Sequence, residues 1–347
     1  MPSIITTLHT YDTDYSADSI EWCPHNPYQQ FFVCGTYQLD KHENPSTASN
    51  TEGSTIRKGR ILLFSFDVQQ NSLIREQTIE SSAILDQKWH PTLPTLVAAN
   101  AGGVILLYEL GSERNLVQKD VFKIPSNNEE LLALSIDWSS EGDRALVSDS
   151  KGCISVIDVN TIGLQLLNRW TAHSFEAWAC AFDRTDPNVL YTGGDDTFLC
   201  VYDIRCLTVP AIRTKNKNHT AGVTTLLSLR HKEHLLASGS YDDNLRLFDT
   251  RNMKYSLSET NLGGGIWRLK TCPSQPELIL CACMYHNFSV VTLNEDHSIS
   301  VEAEYNEHDS ICYGCDWSYG PTGRGAKYFA SCSFYDHKMC LAVLKSD

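Results

Sequence analysis

One short cassette recurs along this chain, and it limits the folds that the chain can adopt. Its clearest copy runs from Ala237 to Asp249, where small residues lead into a tight polar turn, an apolar strand and an acidic end. A unit of this size forms only a small sheet and cannot bury its own apolar faces, so neighbouring units must stack. The sequence therefore predicts a repeat protein whose candidate site lies where the units converge.

The spacing of the units predicts their number. The strand that enters each unit ends at what we call the register position, occupied in turn by Trp22, Trp89, Trp138, Phe182, Ser228, Thr271 and Trp317. Most of these spacings are close to the roughly 40–45 residues of a propeller blade. The long first spacing contains a polar segment at about residues 38–58, which has too few apolar residues to pack and is predicted to be a flexible loop. We therefore expect an all-β fold, a seven-bladed β-propeller.

The two ends of the chain complement each other in this prediction. The last unit ends with the strand Lys338–Leu344, one strand short of four, and the strand-like segment at residues 3–8 precedes the first unit and belongs to no hairpin. Pairing of the N-terminal strand with the last blade would close the ring and remove an exposed sheet edge. Residues 1–347 are therefore expected to form a single domain.

Residue pairs at fixed places in the repeat resemble the WD40 family. The pairs Tyr202-Asp203, Phe248-Asp249 and Ile157-Asp158 stand where that family has Trp-Asp. The pairs that match the loop histidine and turn aspartate of the family are His173 with Asp196, His219 with Asp242, and His308 with Asp336. The resemblance implies a WD40 propeller in which each His–Asp pair fastens one blade by a buried hydrogen bond and takes no part in catalysis.

The charge and the apolar content of the chain limit the kinds of molecule that it is expected to bind. The formal charge of −14, from 42 acidic and 28 basic residues, argues against direct nucleic acid binding, which needs Lys and Arg to neutralise phosphates. A cationic partner fits this charge better. The start of the sequence lacks the pattern of a secretory signal, and no run approaches the roughly 18 apolar residues of a membrane span. We therefore expect no membrane association and a cytoplasmic location.

The cysteines and the common catalytic motifs give no cofactor site. The thirteen cysteines lie singly in predicted strands, as small buried thiols do. Cys312 and Cys315 have metal-type spacing, but on a strand they would face opposite sides unless a bulge intervened, so no metal is expected. Hydrolase elbows, zinc-protease motifs, P-loops and dinucleotide fingerprints are missing from the sequence, and no cofactor is predicted.

Alternate residues of the entering strands predict the lining of a central channel. Counting back from the register position, position −1 holds Glu21, Lys88, Asp137, Ala181, Leu227, Lys270 and Asp316. Position −3 holds Ser19, Asp86, Ser135, Ala179, Thr225, Arg268 and Gly314, whereas position −2 is mostly apolar. Because side chains alternate along a strand, the polar face should line the channel, with position −3 nearer its mouth. Charged linings of this kind commonly pair with one another and hold water.

Two of these residues, Asp86 and Arg268, are candidates for catalysis. An arginine can direct two donors at a carboxylate or a developing oxyanion, and an aspartate can orient water or bind a cation. His286 and His337 follow turn tyrosines, so either could act as a base, although ordinary turn contacts are the alternative. Ser19 is a possible nucleophile for which the sequence assigns no base.

Aromatic residues gather in segments that should reach the same rim. Tyr37, Tyr241 and Tyr335 lie after a strand or beside turns and could hold a quaternary ammonium group by cation–π attraction, worth roughly 0.5–2 kcal/mol per contact. Trp178 and Trp267 fall on the apolar alternation of their strands and are expected to pack between blades.

Several strings that the blade fold does not require resemble one particular WD-repeat family. They are Ala17–Pro24, Cys34–Leu39, Ser82–Asp86, Gly264–Arg268 and Cys332–His337. They resemble the diphthine methyl ester hydrolases of diphthamide biosynthesis, also named diphthine methyltransferases. The resemblance implies hydrolysis of the methyl ester of methylated diphthine, a modified histidine of translation elongation factor 2, to give diphthine. That substrate carries a trimethylammonium group next to the ester, so the rim tyrosines and Glu21 are expected to contact it, Arg268 to stabilise the oxyanion, and Asp86 or a rim histidine to activate the attacking group.

A noncatalytic scaffold is the main alternative. Tyr202-Asp203-Ile204-Arg205 and Phe248-Asp249-Thr250-Arg251 resemble the W-D-x-R signature of substrate receptors for cullin-type ubiquitin ligases. This resemblance implies a cullin-ligase adaptor as a partner. An arginine at that place can also pack against the neighbouring blade, and the two functions do not exclude each other.

Overall fold

Seven small sheets make up the protein. The computed structural model describes residues 4–40, 56–127, 129–160, 163–206, 208, 210–320 and 325–345. These residues form seven antiparallel sheets of four strands each, which confirms the predicted all-β, seven-bladed propeller. Within these ranges no helix is long and apolar enough to cross a membrane.

The blades follow one another along the chain, and each begins with its innermost strand. Blade 1 contains β2 (Ser16–Trp22), β3 (Phe31–Asp40), β4 (Ile56–Asp67) and β5 (Ser72–Ser82), and blade 2 contains β6 (Ile84–Trp89), β7 (Thr95–Asn100), β8 (Val104–Leu110) and β9 (Leu116–Lys123). Blade 3 contains β10 (Ala133–Trp138), β11 (Arg144–Asp149), β12 (Cys153–Asn160) and β13 (Gly163–Thr171), and blade 4 contains β14 (Ala179–Phe182), β15 (Val189–Gly193), β16 (Leu199–Asp203) and β17 (Ala211–Asn216). Blade 5 contains β18 (Val223–Ser228), β19 (Leu235–Ser240), β20 (Asn244–Asp249) and β21 (Ser258–Asn261), and blade 6 contains β22 (Arg268–Cys272), β23 (Gln275–Cys283), β24 (Asn287–Leu293) and β25 (Ile299–Tyr305). Blade 7 contains β26 (Cys312–Trp317), β27 (Ala326–Ser333), β28 (Lys338–Lys345) and, from the other end of the chain, β1 (Ile4–Asp12).

The ring closes between its first and last strands, as predicted. β1 pairs antiparallel with β28, from Ile4 opposite Lys345 to Asp12 opposite Lys338. This pairing gives the last blade its fourth strand and covers the edge that β28 would otherwise expose. The polar segment of blade 1 differs from its prediction at both ends, because residues 38–40 pair with residues 56–58 as the tips of β3 and β4. The rest of the predicted loop, residues 41–55, lies outside the described residues.

Apolar packing occurs between blades. Each of the seven core clusters joins two neighbouring blades. Where blade 1 meets blade 7, for example, Phe32 and Phe64 stack at 5.2 Å and share a cluster with Met339 and Leu341. Each such side chain contributes roughly 1.5–3 kcal/mol by leaving water, so a single blade has little stability of its own.

The tryptophans at the register position fix the distance between inner strands. Trp89, Trp138 and Trp317 each donate their indole N–H to the position −1 carbonyl of the preceding blade, at 3.2, 3.1 and 3.0 Å. Two position −1 carboxylates accept hydrogen bonds from backbone amides of the blade that follows. Asp137 accepts from the Phe182 amide at 2.8 Å, and Asp316 accepts from the Trp22 amide at 2.7 Å across the closure of the ring.

The three His–Asp pairs are not equivalent, which corrects the prediction made for them. His173 Nδ1 lies 2.8 Å from Asp196 Oδ1, so this pair bonds directly. In blade 7 the contact runs through a serine hydroxyl that bonds both His308 and Asp336. His219 Nδ1 has no partner among the described residues, because Asp242 instead bonds Thr220 and Arg246. Only one of the three pairs therefore fastens its blade as the WD40 resemblance implies.

Cys312 and Cys315 also differ from their prediction. β26 carries a bulge between them, so both thiols lie in the core cluster between blades 6 and 7 rather than on opposite sides of the strand. Burial raises the pKa of both thiols, which keeps them protonated. All thirteen cysteines are free thiols. Eleven of them are buried and fill space as small apolar side chains, whereas Cys153 is half-buried and Cys206 is exposed.

Candidate functional site

The inner strands are not regular where they enter the channel. In blades 1, 2, 3, 5 and 7 the pairing of the inner strand is interrupted by a bulge at or beside the residue four before the register position, which we call position −4. In blades 4 and 6 this residue directly precedes the strand. A bulge leaves a residue unpaired and re-aims its side chain, so position −4 escapes the alternation of the rest of the strand.

Position −4 therefore forms a ring at the mouth of the channel. Its members, from blade 1 to blade 7, are Asp18, Leu85, Leu134, Trp178, Thr224, Trp267 and Tyr313. Trp178 and Trp267 come from blades 4 and 6, yet their ring centroids lie 5.7 Å apart. Tyr313 stacks on Trp267 at 4.8 Å. The two tryptophans are half-buried and meet across the mouth, a contact that was not predicted. Trp267 also packs against the core cluster between blades 6 and 7, in agreement with its prediction.

Residues from the turns extend this ring of aromatic side chains. Tyr241 contacts Trp178 and Trp267, each with a centroid distance of 6.1 Å. Phe334 contacts Tyr313 at 5.3 Å and joins it to two of the predicted rim tyrosines, which lie on its other sides. We call the continuous set the aromatic mouth; it consists of Tyr37, Trp178, Tyr241, Trp267, Tyr313, Phe334 and Tyr335. The structure thus brings together the three tyrosines predicted to bind a cation.

Acidic groups lie beside the aromatic mouth. Trp178 donates its indole N–H to Asp195 at 3.0 Å. Burial raises the pKa of the Tyr241 hydroxyl, and the negative charges of Asp195 and Glu176 raise it further. Aromatic faces flanked by carboxylates attract cations, because ring quadrupole and charge act in the same direction. This half of the mouth is therefore suited to an organic cation.

Below the mouth lies a channel of about 660 Å³, lined by all seven residues of position −1 and five of position −3. The polar alternation thus predicted its wall. Lys88 Nζ lies 2.8 Å from both Glu21 and Asp86, and Lys270 bonds the same Glu21 and lies 3.8 Å from Asp316. Glu21 is consequently held between two lysines inside the channel.

Arg268 crosses the channel between blades that are not neighbours. Its Nη2 donates to the Leu85 carbonyl of blade 2 at 3.0 Å and lies 3.5 Å from Asp86 Oδ1. Its guanidinium carbon lies 5.6 Å from the centre of the Trp267 ring. The blades that it spans carry small residues at the same level, Gly314 and Ser19. Arg268 Nη1 also donates to the Trp267 carbonyl at 3.3 Å. Among the described residues these bonds use only part of the five N–H donors of the guanidinium, which leaves others for a ligand.

Asp86 is fixed in its ionised form. Its Oδ1 accepts from Lys88 and from the Gln87 amide, and its Oδ2 accepts from the Ile136 amide at 3.0 Å. Burial by itself would raise the pKa of this carboxyl, but the charges of Lys88 and Arg268 outweigh burial and hold the pKa at about 2. An acid with so low a pKa is a weak proton acceptor near neutral pH and a good anchor for Arg268.

Asp18 has a different environment. It is 4% exposed, and its Oδ1 is buried without a hydrogen-bond partner in the described part of the chain. Burial raises the pKa of Asp18 to about 7; the charge of Arg268 opposes this change and that of Asp86 adds to it. The indole nitrogen of Trp267 is likewise buried and unpartnered. Buried polar atoms are almost always satisfied, so two such atoms at one mouth indicate a place for a ligand.

Among the described residues, no hydrogen bond or ion pair joins the other predicted catalytic residues to Arg268. Ser19 is buried, and its hydroxyl accepts a hydrogen bond from the Gln87 side-chain amide at 3.1 Å. An amide cannot take a proton from it. No hydrogen bond or ion pair among the described residues joins His286 or His337 to Arg268 or Asp86. His286 is exposed on its turn.

Asp18, Tyr313 and Phe334 lie at this site although the sequence patterns did not predict them as site residues. Asp18 and Phe334 lie inside strings that carry the resemblance to the diphthine family, so the signal was present. Tyr313 occupies position −4, which strict alternation assigns to the space between blades. Across the seven units position −4 holds three aromatic residues, two leucines, one aspartate and one threonine, so it does not keep the apolar character that packing between blades predicts.

Comparisons with known proteins agree with this geometry. The family model described as "WD domain, G-beta repeat" matches residues 164–203 and 212–249. The chain is 38% identical over 343 residues to the Homo sapiens protein named diphthine methyltransferase, covering 90% of this chain and 74% of that protein. It is 32% identical over 336 residues to the diphthine methyltransferase of Schizosaccharomyces pombe, covering 95% and 96%. A chain in the crystal structure of the mitotic checkpoint complex superposes with a TM-score of 0.73 at 14% identity, covering 98% of this chain and 92% of that one, and shows the fold alone.

Proposed function

Because this chain belongs to the diphthine methyltransferase family, we propose that it acts in diphthamide biosynthesis by hydrolysing the methyl ester of methylated diphthine on translation elongation factor 2. The products are diphthine and methanol. In the proposed reaction water attacks the ester carbon, so the methoxy group leaves as methanol. The methyl group is not transferred to another substrate. The elongation factor is the proposed partner, and we expect the reaction to occur in the cytoplasm.

One observation supports this proposal above the others: an aromatic mouth lies against an arginine with free donors. The trimethylammonium group of the substrate would bind between the rings of Trp178, Tyr241 and Trp267, next to the carboxylates of Asp195 and Glu176. The ester adjoins that cation in the substrate. Arg268, whose guanidinium lies 5.6 Å from the Trp267 ring centre, is then placed to meet the ester oxygen.

Arg268 would stabilise the charge that develops on that oxygen. When water adds to the ester carbon, the carbonyl oxygen becomes an oxyanion, and fixed donors in a buried site stabilise it more than water does. Asp86 keeps the guanidinium in place through its contact at 3.5 Å, and Leu85 does so through its carbonyl. In this scheme Asp86 is a positioning residue.

The test uses purified chain and elongation factor 2 that carries methylated diphthine, incubated in water enriched in oxygen-18. Hydrolysis predicts that the modified peptide loses one methyl group, gains one heavy oxygen and releases one methanol. Appearance of the methyl group on another molecule would instead show transfer. An unchanged peptide, under conditions in which the factor binds, would overturn the enzymatic proposal and favour a scaffold.

The two W-D-x-R-like motifs support a second candidate function, a substrate receptor of a cullin-type ligase. The side chains of Arg205 and Arg251 are 70% and 68% exposed, and each pairs with the aspartate of its own motif. Their exposure leaves them accessible to an adaptor protein. Coprecipitation of a cullin adaptor with the native chain, and its loss in an Arg205→Ala, Arg251→Ala double variant, is the expected result. If the native chain and the double variant coprecipitate the adaptor equally well, these two arginines are not needed for adaptor binding.

A further inference from the structure

We propose that Asp18 is the general base that removes a proton from the attacking water, an inference that rests on the proposed function. Asp18 lies at the bulge of β2, between the pairs Ala17–Thr36 and Ser19–Gly35, and belongs to neither. Bulges are common beside active sites, where they re-aim a side chain. Blade 1, which carries Asp18, adjoins blade 7 across the closure of the ring. The charge of Asp18 raises the pKa of Tyr313, so the carboxyl group lies beside the aromatic mouth.

The burial of Asp18 without a hydrogen bond to Oδ1 is the main observation. A carboxylate that is 96% buried normally has its oxygens occupied by donors, as Asp86 and Asp316 do. Asp18 Oδ1 has no such donor among the described residues and is shielded from solvent, so its lone pairs are left for a water or substrate hydrogen that enters beside it. A general base needs an acceptor that no protein donor occupies.

The charges around Asp18 favour proton exchange near neutral pH. The groups that face it are Arg268 of blade 6, Asp86 of blade 2, and Tyr313 and Cys332 of blade 7. Burial raises the pKa of Tyr313 and of Cys332, and Arg268 stays charged, so none of these titrates between pH 5 and 9. Burial brings the pKa of Asp18 itself to about 7.

The reaction balances in protons and electrons. Asp18 accepts a proton from water while the water oxygen bonds to the ester carbon, and the electron pair of the carbonyl moves to the oxygen facing Arg268. The tetrahedral intermediate then expels the methoxy group, which takes the proton from Asp18 and leaves as methanol. The products are the carboxylic acid of diphthine, methanol and an ionised Asp18. No oxidant, metal or cofactor takes part.

Asp18→Asn tests the proposal directly, because asparagine has the same shape and cannot accept the proton. We expect kcat to fall roughly 100-fold or more while KM changes by less than about threefold. In the native chain log(kcat/KM) should rise with pH, level off above a midpoint near 7, and lose this dependence in the variant. Asp18→Glu, which keeps a carboxylate, should recover part of the lost kcat.

Two control variants separate this role from general disturbance of the channel. Asp137→Asn changes another buried channel aspartate that bonds the Phe182 amide, and should leave kcat within about threefold. Asp316→Asn removes the other channel carboxyl whose pKa burial raises, and should leave the midpoint near 7 in place. A midpoint that disappears with Asp316→Asn and persists in Asp18→Asn would overturn the assignment.

The outcomes distinguish the two proposals. If the native chain hydrolyses the methyl ester and Asp18→Asn retains its kcat, Asp18 is not the base and the proposed function stands. If Asp18→Glu is as inactive as Asp18→Asn and both have an altered KM, the role is structural, and the assignment is again overturned. If the native chain does not hydrolyse the ester, both proposals are overturned together.

Discussion

Two sectors of the ring line the same channel with opposite chemistry. The charged sector, blades 6, 7, 1 and 2, supplies Arg268, Lys270, Asp316, Glu21, Asp86 and Lys88 at positions −1 and −3. The uncharged sector, blades 4 and 5, supplies Ala179, Ala181, Thr225 and Leu227 at the same positions. The backbone is repeated around the ring, so the difference lies in the side chains alone.

The family model for the repeat matches the sector whose side chains at positions −1 and −3 carry no charge. Its two matches, residues 164–203 and 212–249, include the inner strands of blades 4 and 5. In the charged sector the residues that face the channel have been replaced by groups that pair across it, as Arg268 does with Asp86. The matched repeats also contain Trp178, Asp195 and Tyr241, which lie in or beside the aromatic mouth. The charged wall of the channel, with Arg268 and Asp86, lies outside the matched ranges.

The largest expected effect comes from removing the arginine of the charged sector. Arg268→Ala should lower kcat by roughly 100- to 1,000-fold, the usual cost of losing one oxyanion donor. Arg268→Lys should also have a lower kcat than the native chain, because an ammonium group cannot contact Leu85, Asp86 and the ester at once. Steady-state kinetics on the methylated factor measures both variants.

Arg184→Ala is the matched control for this comparison. Arg184 pairs with Asp137 at 2.7 Å at the other end of the channel wall and contacts no part of the mouth. We expect its kcat to stay within about threefold of the native value, with urea unfolding used to correct for any loss of folded protein. Equal losses in the two arginine variants would show that the channel responds as one unit and that the sectors do not differ.

The next effect is on stability and concerns the buried acids of the charged sector. The folded chain keeps the proton of Asp18 up to about pH 7, whereas the unfolded chain releases it near the ordinary value of 3.8. The folded state therefore binds more protons in this window, and the free energy of unfolding falls as pH rises from about 4 to 7. Asparagine does not titrate, so the decrease in the free energy of unfolding between pH 5.5 and 8 should be smaller in Asp18→Asn than in the native chain, by on the order of 2 kcal/mol.

Urea unfolding of both proteins at the two pH values measures this difference. The variant should be more stable than the native chain at pH 8 and much less active, a combination that separates catalysis from folding. A variant less stable than the native chain at pH 8 would mean that Asp18 carries its charge in the folded state at little cost. The pH dependence of stability that Asp86 contributes has the opposite sign. Its lowered pKa stabilises the folded state at neutral pH, and this contribution is lost as the pH falls from about 4 towards 2.

A smaller effect is expected at the aromatic mouth, which borders both sectors. Tyr241→Leu removes one ring that faces Trp178 and Trp267 and should raise KM about 2- to 30-fold, with little change in kcat. Tyr241→Phe keeps the ring and should change KM less than threefold. Inhibition by tetramethylammonium should weaken in parallel with KM. An unchanged inhibition constant in Tyr241→Leu would place the cation elsewhere.

Most of the fold was predictable because propeller geometry repeats. The inner strands end at or within one residue of the predicted register positions, from Trp22 to Trp317, and the first strand closes the last blade. The alternation also predicted the wall of the channel, including Asp86 and Arg268. These features follow from spacing and from alternating polarity, which a single sequence contains.

The mouth was less predictable for a physical reason. A bulge adds one residue to a strand, and it is visible only in how that strand pairs with its neighbour. Strict alternation gave Asp18, at the bulge of β2, no function. It assigned Trp178 and Trp267 to the space between blades, although each directly precedes its inner strand and is not held by the alternation of that strand. The span of Arg268 to Leu85 was also hidden, because it depends on closing the ring and on the small side chain at Ser19 and the glycine at position 314.

The smallest expected effect lies in the uncharged sector and tests the contrast from the other side. Ala179→Ser and Ala181→Ser add one hydroxyl each to a channel wall that already holds polar groups, so little desolvation is involved. Both variants should keep kcat/KM within about twofold and stability within about 0.5 kcal/mol. A tenfold loss of activity in either would mean that the substrate contacts the whole circumference of the channel. The two sectors would then differ in charge without differing in their part in the reaction, and Arg268 would need a partner on the opposite wall.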